Sequence, residues 1–175
     1  MPTEPDALAD DTKDWTWVIA QGCPECGWTP PPAGEVAPRV RATVPRWQAV
    51  LRRADAGVRT RSDRWSALEY GCHVRDVCRV FAGRLDQLLT QDDPTFADWD
   101  QDAAAREGRY FAEDPAVVAD AYRQGAEQIA ASFAAVDGEQ WLRRGTRSNG
   151  SLFTVATLGS YFLHDLEHHL FDVAG

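Results

Sequence analysis

Several kinds of feature are scarce in this sequence, and each shortage excludes a class of protein. Its longest apolar runs, such as residues 129–136, are far too short to cross a lipid bilayer. Acidic residues outnumber basic ones by 27 to 18, and the formal net charge of −9 argues against a nucleic-acid-binding protein. The first residues are acidic, where a secretory signal would be basic and then apolar. We therefore expect a cytoplasmic protein whose partners include neither a membrane nor a nucleic acid.

The composition is otherwise typical of one soluble folded domain. Hydrophobic residues make up 44% of the 175 residues and charged residues 26%, which are ordinary fractions for a globular protein. A chain of this length buries roughly 70% of its unfolded surface and needs no metal or disulfide merely to fold. Residues 1–33 lack a sustained period and end in a run of prolines. We therefore predict an irregular N-terminal arm followed by a domain over residues 34–175.

Apolar residues recur at helical spacing in four segments of the predicted domain. These segments are residues 34–56, 66–88, 114–136 and 152–172. Pro45 lies inside the first and should kink it, while Ser66 and Glu69 form a capping box at the start of the second. The acidic stretch 90–114 is predicted to be a crossover that carries a short helix, and no segment is predicted to be a strand. The pattern predicts an all-α fold, a four-helix bundle.

Only four histidines occur, and they fall in two of the predicted helices. His164 and His168 lie one turn apart on the last helix, a spacing that lets two imidazoles reach one metal ion. His73 lies near the border of the apolar stripe of the second helix. If these two helices are neighbours, the three histidines form a metal site with open positions for water or substrate. His169 points about 100° away from His168, which suggests a surface residue or one that supports a ligand.

Three further side chains are candidates to assist such a site. Glu69 precedes His73 by one turn and Asp76 follows it by about one turn, so either carboxylate could orient His73 through its second ring nitrogen. Tyr161 could donate a hydrogen bond near the metal. The competing interpretation is simpler, because both carboxylates could lie on the surface of an arginine-rich helix and Tyr161 could be packed in the bundle.

The cysteines fall into two pairs. Cys23 and Cys26 form a C-x-x-C loop in the arm, which could be a separate metal site, a redox or disulfide pair, or a structural tight turn. A zinc ribbon would need a second C-x-x-C, and a thioredoxin-type motif would need a following helix in place of the prolines found here. Cys72 and Cys78 are expected to pack as small apolar residues.

Two motifs together resemble those of the DinB-like (DinB/YfiT) superfamily, which also includes the N-terminal domain of mycothiol-dependent maleylpyruvate isomerase. The first follows the pattern W-S-x-x-E-x-x-x-H-x-x-D, and the second is the closing H-x-x-x-H of the last helix. The first motif reads Trp65-Ser-Ala-Leu-Glu-Tyr-Gly-Cys-His73-Val-Arg-Asp76. The resemblance covers about residues 34–173, and the order and separation of the two motifs make it fairly specific.

The resemblance implies a four-helix bundle in which His73, His164 and His168 hold a divalent metal, with zinc or nickel as the expected ion. It also implies a possible activity, because several relatives are S-transferases that use a low-molecular-weight thiol. A metal with open positions would stabilise the thiolate of an entering thiol, which could then attack an electrophilic substrate. Lysine is nearly absent and alanine abundant, which is typical of a GC-rich genome. An actinobacterial source would make mycothiol the expected co-substrate.

A rival interpretation is a non-catalytic or stress-related bundle that binds a small ligand and holds a structural metal. The two interpretations differ in the metal's open positions, because a shell closed by cysteine or glutamate would favour the rival. Trp99 and Trp141 are candidates for exposed aromatic residues. Such residues could form the contact of a homodimer, which is plausible for so small a bundle.

Overall fold

The four predicted long helices are present in the computed structural model, which describes residues 5–6, 8–9 and 13–175. The α-helices are α1 (Val18–Gln21), α2 (Val36–Leu51), α3 (Ala67–Thr90), α4 (Gln101–Glu107), α5 (Pro115–Ala134) and α6 (Val155–Asp172). Short 3-10 turns occupy Ala33–Glu35, Tyr110–Ala112 and Gly138–Leu142. Within the described residues, no helix combines the length and apolar character that a membrane span requires. The fold is a four-helix bundle of α2, α3, α5 and α6, as predicted.

Side-chain caps fix where three of these helices begin. The Ser66 hydroxyl accepts the amide of Glu69, whose carboxylate accepts the amide of Ser66 at 2.8 Å, so the predicted capping box opens α3. Asp114 caps α5, with Pro115 at the first helical position. Thr154 forms a capping box at the start of α6. These interactions satisfy backbone amides that have no partner inside the helix.

The main helix neighbours are α2 with α5, α3 with α5, α3 with α6, and α2 with α6. Helices α2 and α3 therefore lie across the bundle from one another, as do α5 and α6, whereas α3 and α6 are neighbours. Aromatic side chains fill the centre, where the Trp47 indole donates to the carbonyl of Leu166 at 3.3 Å. Tyr122 is also fully buried, and its hydroxyl lies 2.6 Å from that of Thr43. Helix α2 continues through Pro45 without a break.

A small three-stranded sheet closes one side of the bundle, although no strand was expected. It consists of β1 (Thr95–Phe96), β2 (Arg144–Arg147) and β3 (Leu152–Thr154), in the order β1-β2-β3. β1 pairs in parallel with β2, and β2 pairs antiparallel with β3 through the turn at residues 148–150. The strands were missed because β2 reads R-G-T-R and lacks the apolar alternation that marks a strand. Contact between the rings of Phe96 and Phe153, both buried, anchors them.

The N-terminal arm packs on α6. Val18, Cys23 and Trp28 are buried in one cluster with the ring of Tyr161 against it. A backbone bridge joins Cys23 to Trp28, and Gly22 makes this possible with a φ of +72° and no side chain, since an added Cβ would lie 2.7 Å from the Trp28 carbonyl oxygen. Residues 1–4, 7 and 10–12 of the predicted arm, including Glu4 of its acidic start, lie outside the described residues.

Candidate metal centre and adjoining cavities

The C-x-x-C loop of the arm faces two histidines of α6. The Cys23 sulfur lies 3.6 Å from Nδ1 of His168, and the Cys26 sulfur lies 3.9 Å from Nε2 of His164. One donor atom from each of the four side chains lies within 4.8 Å of all the others. We call these four residues the arm–α6 donor group. The loop presents both sulfurs on one side because the Gly27 amide turns back to the Cys23 carbonyl at 2.8 Å.

The surroundings of the arm–α6 donor group are apolar and aromatic. The ring of Trp15 lies 5.1 Å from that of His168, and the ring of Trp28 lies 5.1 Å from that of His164. Burial lowers the pKa of His164 to about 4 and also lowers the pKa of His168. Burial raises the pKa of Cys26 to about 11. Both imidazoles are therefore neutral at pH 7, which is the form that binds a metal.

A second cluster lies where α6 faces α3. Oδ1 of Asp165 is 3.1 Å from Nε2 of His73 and 3.2 Å from Nε2 of His169. The other ring nitrogen of His169 lies 2.9 Å from the carboxylate of Asp172. Donor atoms of His73, Asp165 and His169 all lie within 4.8 Å of one another. We call these three residues the α3–α6 donor group.

Charge dominates the α3–α6 donor group. Burial opposes the charged form of His169, yet its hydrogen bonds to Asp165 and Asp172 outweigh burial and raise its pKa to about 9. Burial likewise opposes ionisation of Asp165, but His73 and His169 hold the pKa of this carboxyl well below its usual range. His169 therefore carries a positive charge between two carboxylates at pH 7. His73 is 1% exposed and its ring stacks on Trp99, and no described residue supplies a hydrogen-bond partner to its buried Nδ1.

The three histidines of the predicted triad fall into different groups. His73 shares a group with Asp165 and His169, whereas His164 and His168 share theirs with the two cysteines of the arm. Each residue of an α-helix is rotated about 100° from the one before. The pair 164/168 therefore faces the arm, and the pair 165/169 faces α3. The sequence did not single out Asp165, although the string H-D-x-x-H-H contains two pairs of donors at i, i+4 spacing.

The two predicted supporting carboxylates have partners of their own. Glu69 caps α3 and accepts a hydrogen bond from Nε of Arg59 at 2.9 Å. Asp76 accepts one from the Tyr110 hydroxyl at 2.5 Å. Among the described hydrogen bonds, the carboxylate that reaches His73 is that of Asp165 and not either of these.

Cys72 and Cys78 are buried in the core, as predicted. Burial raises the pKa of Cys72 to about 12, so this thiol stays protonated at pH 7. Both behave as small apolar residues and lie outside the two donor groups.

Two adjoining cavities border the donor groups. The first has a volume of about 300 Å³, and the second has one of about 540 Å³. The first is lined by residues that include Trp15, Trp65, Tyr161, His164, Asp165, His168 and His169. The second shares Trp15, Tyr161 and Asp165 and adds Arg84 and Arg147, which are themselves buried. The cavities are large enough for a small molecule, and Asp165 borders both.

Fold and site together define a four-helix bundle with metal-donor side chains on its last helix. A sequence profile of the DinB superfamily matches residues 54–171. The chain belongs to the DinB superfamily, and the resemblance of its motifs is confirmed.

A solved structure supports the same fold. YfiT from Bacillus subtilis, described as a probable metal-dependent hydrolase with an unusual four-helix bundle topology, superimposes with a TM-score of 0.68. The match covers 81% of this chain and 83% of YfiT at 17% sequence identity, so it shows the fold alone. No match was found among curated proteins.

Proposed function

We propose that this protein is a metal-dependent enzyme that acts on a small molecule in the cavities beside α6. In this proposal the α3–α6 donor group holds the divalent ion. The observation that carries it is the position of that group, because Asp165 lines both cavities and His169 lines the first. The resemblance implied that His73 acts with a pair of ligands at i, i+4 on the last helix. The pair that shares a group with His73 lies one residue further along, at Asp165 and His169.

The donor set fits a divalent metal. Two imidazoles and one carboxylate are common ligands of zinc and of other first-row metals. Two donors about 2.1 Å from one ion and at right angles to each other would lie about 3.0 Å apart. Asp165 is already 3.1 and 3.2 Å from the two histidine nitrogens. Binding would displace the protons that now hold the group together, and this requirement makes metal affinity depend on pH.

We propose transfer of a small thiol, of the mycothiol type, as the reaction. His73, Asp165 and His169 would hold the divalent ion and leave it open positions, and such an ion would lower the pKa of a thiol or water molecule that reached it. The thiolate sulfur would then bond to an electrophilic carbon, and the leaving group or the oxygen of an opened ring would take the electron pair of the broken bond. The thiol proton would pass to that oxygen or to solvent. The chain itself supplies aromatic walls at Trp15, Trp65 and Tyr161, which would give the substrate apolar contacts beside the reacting groups. Arg84 and Arg147 would hold negative charge on the substrate.

The rival function is a bundle that binds a small ligand without turnover and holds a structural metal. One observation favours it, because the arm–α6 donor group offers four ligands and would leave a tetrahedral ion no open position. In that case the protein would bind metal and ligand but consume no thiol.

A thiol-transfer assay distinguishes the two functions. Untagged, metal-loaded protein would be mixed with mycothiol and with simpler thiols, together with a panel of alkyl halides and epoxides. We expect metal-dependent loss of free thiol, reduced at least about 10- to 100-fold in Asp165→Asn and His73→Ala. Asp76→Asn is the matched control, since its carboxylate lies about one turn past His73 but bonds to Tyr110. Full activity in Asp165→Asn would contradict the proposed site, and metal binding without turnover would favour the rival function.

A further inference from the structure

The arm–α6 donor group lies outside the proposed reaction, although two of its members are among the rare histidines. We infer that this group is a closed zinc site that fastens the N-terminal arm to α6 and is separate from the site proposed for catalysis. The inference rests on Cys23, Cys26, His164 and His168 and does not depend on the proposed function.

The chemistry of the four donors matches zinc. Two thiolates and two imidazoles complete a tetrahedral shell, and zinc sites of this composition are structural. Both pairs have spacings that let two side chains reach one ion, since the cysteines form a C-x-x-C loop and the histidines lie at i, i+4 on α6. Soft thiolate ligands disfavour magnesium and calcium, which prefer oxygen.

The spacing of the donor atoms matches the geometry of such a site. For zinc–sulfur and zinc–nitrogen bonds of about 2.3 and 2.05 Å at the tetrahedral angle, the sulfur and nitrogen would lie about 3.6 Å apart. The two thiol–imidazole pairs are 3.6 and 3.9 Å apart. These contacts are too long for strong hydrogen bonds but close to the separation that a shared ion would impose.

Charge and burial also fit. Cys23, His164 and His168 are each no more than 7% exposed, and a lone charge there would be costly. Two thiolates cancel the double charge of zinc, so the complete group would be neutral. Nε2 of His168 lies 3.7 Å from the carboxylate of Asp172 while Nδ1 faces Cys23. At 3.7 Å this contact is electrostatic and not a hydrogen bond, but it places negative charge behind the imidazole, where a carboxylate commonly supports a metal-binding histidine.

Fastening the arm would shape the neighbouring cavity. Trp15 and Glu25 belong to the arm and line the first cavity together with His164 and His168. Trp15 also lines the second cavity. The zinc would thus hold the arm's wall of both cavities in place without taking part in the reaction.

Metal analysis with cobalt substitution tests the inference. Wild-type protein, purified without a tag and with reductant, would be analysed for zinc and then reloaded with cobalt(II). We expect sulfur-to-cobalt charge-transfer absorption and the strong visible bands of a tetrahedral ion. Cys23→Ala and Cys26→Ala should each lose this spectrum and one bound ion per chain. Cys72→Ala, which changes a buried cysteine elsewhere, is the matched control and should keep both.

The outcomes separate this inference from the proposed function. His73→Ala and Asp165→Asn should lose thiol transfer but keep the thiolate–cobalt spectrum. Wild-type protein that binds cobalt without a thiolate band would overturn the inference, as would a cysteine variant that keeps the full spectrum. A disulfide between Cys23 and Cys26, combined with no thiolate-bound metal after reduction, would also overturn it. The wild-type spectrum decides between these outcomes even if a variant fails to fold.

Discussion

The carboxylate of Glu69 joins the start of α3 to the loop that precedes it. It caps α3 by accepting the amide and hydroxyl of Ser66, and it pairs with the guanidinium of Arg59 from the preceding loop. Burial alone would raise the pKa of Glu69, but Arg59 and Ser66 outweigh burial and hold it below its ordinary value. The ionised form is therefore the one that stabilises the fold.

At the residue scale, we predict that Glu69→Gln lowers the free energy of unfolding by about 1–3 kcal/mol at pH 7, because charge-assisted hydrogen bonds and part of a cap are lost. A carboxyl with a lowered pKa contributes stability above its unfolded pKa, and this contribution is lost as the pH falls through its folded pKa. The gap between variant and wild type should therefore shrink below about pH 4.5. Urea unfolding over a pH series measures it. The exposed Glu107→Gln serves as control, and a gap that does not change with pH would refute this role.

Helix α3 packs against α5 and also carries His73 towards α6. It therefore connects the core of the bundle to the α3–α6 donor group. Two of its glycines lie in opposite environments. Gly71 is buried against the end of α2, and a Cβ there would lie 2.7 Å from Cδ2 of Leu51. Gly83 is exposed, and a Cβ there would meet no atom of the described residues within 4 Å.

At the element scale, we predict opposite effects for the same substitution at these two positions. Gly83→Ala should stabilise the protein by about 0.5–1 kcal/mol, because alanine loses less backbone entropy in a helix. Gly71→Ala gains the same helix propensity, but overpacking against Leu51 costs about 1–3 kcal/mol and should make the net effect destabilising. Paired denaturant curves measure both. If Gly71→Ala proved as stable as Gly83→Ala, the close approach of α2 and α3 would be wrong.

The whole molecule is a bundle with an arm that packs on α6 through α1 and the C-x-x-C loop. Much of the arm's buried contact comes from Val18, Cys23 and Trp28, which form a cluster separate from the main core. A small cluster stabilises a segment weakly, so the inferred zinc should contribute much of what holds the arm in place.

At the scale of the whole molecule, we predict that chelation lowers the melting temperature. A ligand present at 100 times its Kd stabilises a protein by about 2.7 kcal/mol, and 1 kcal/mol corresponds to about 2–4 °C in a chain of this size. A fall of about 5–10 °C is therefore expected on these two figures. The Cys23→Ala/Cys26→Ala double variant should start lower and respond less to chelator. Calorimetry with and without chelator measures the melting temperature of both proteins. An equal fall in both would show that the zinc does not hold the arm.

The local features were predictable because neighbouring residues encode them. Apolar spacing and caps predicted α3, α5 and α6 within a few residues of their observed ends. The pairing of β1 with β2 was not predictable, because it joins segments some fifty residues apart. The local pair of β2 and β3 was missed because β2 lacks the apolar alternation that marks a strand. Of the candidate site, the sequence identified His73, His164 and His168 as metal-ligand candidates and indicated the C-x-x-C loop, but it missed Asp165.

The sequence by itself determined the helices, the bundle and the kinds of donor side chain available. Only the tertiary structure decided how those donors are grouped. Cys23 and His168 are 145 residues apart and meet because the arm packs on α6. His73 and Asp165 are 92 residues apart and meet because α3 and α6 are neighbours. The physical reason is that helix periodicity is set within a few turns, whereas the face each donor presents to a partner is set by packing between distant segments.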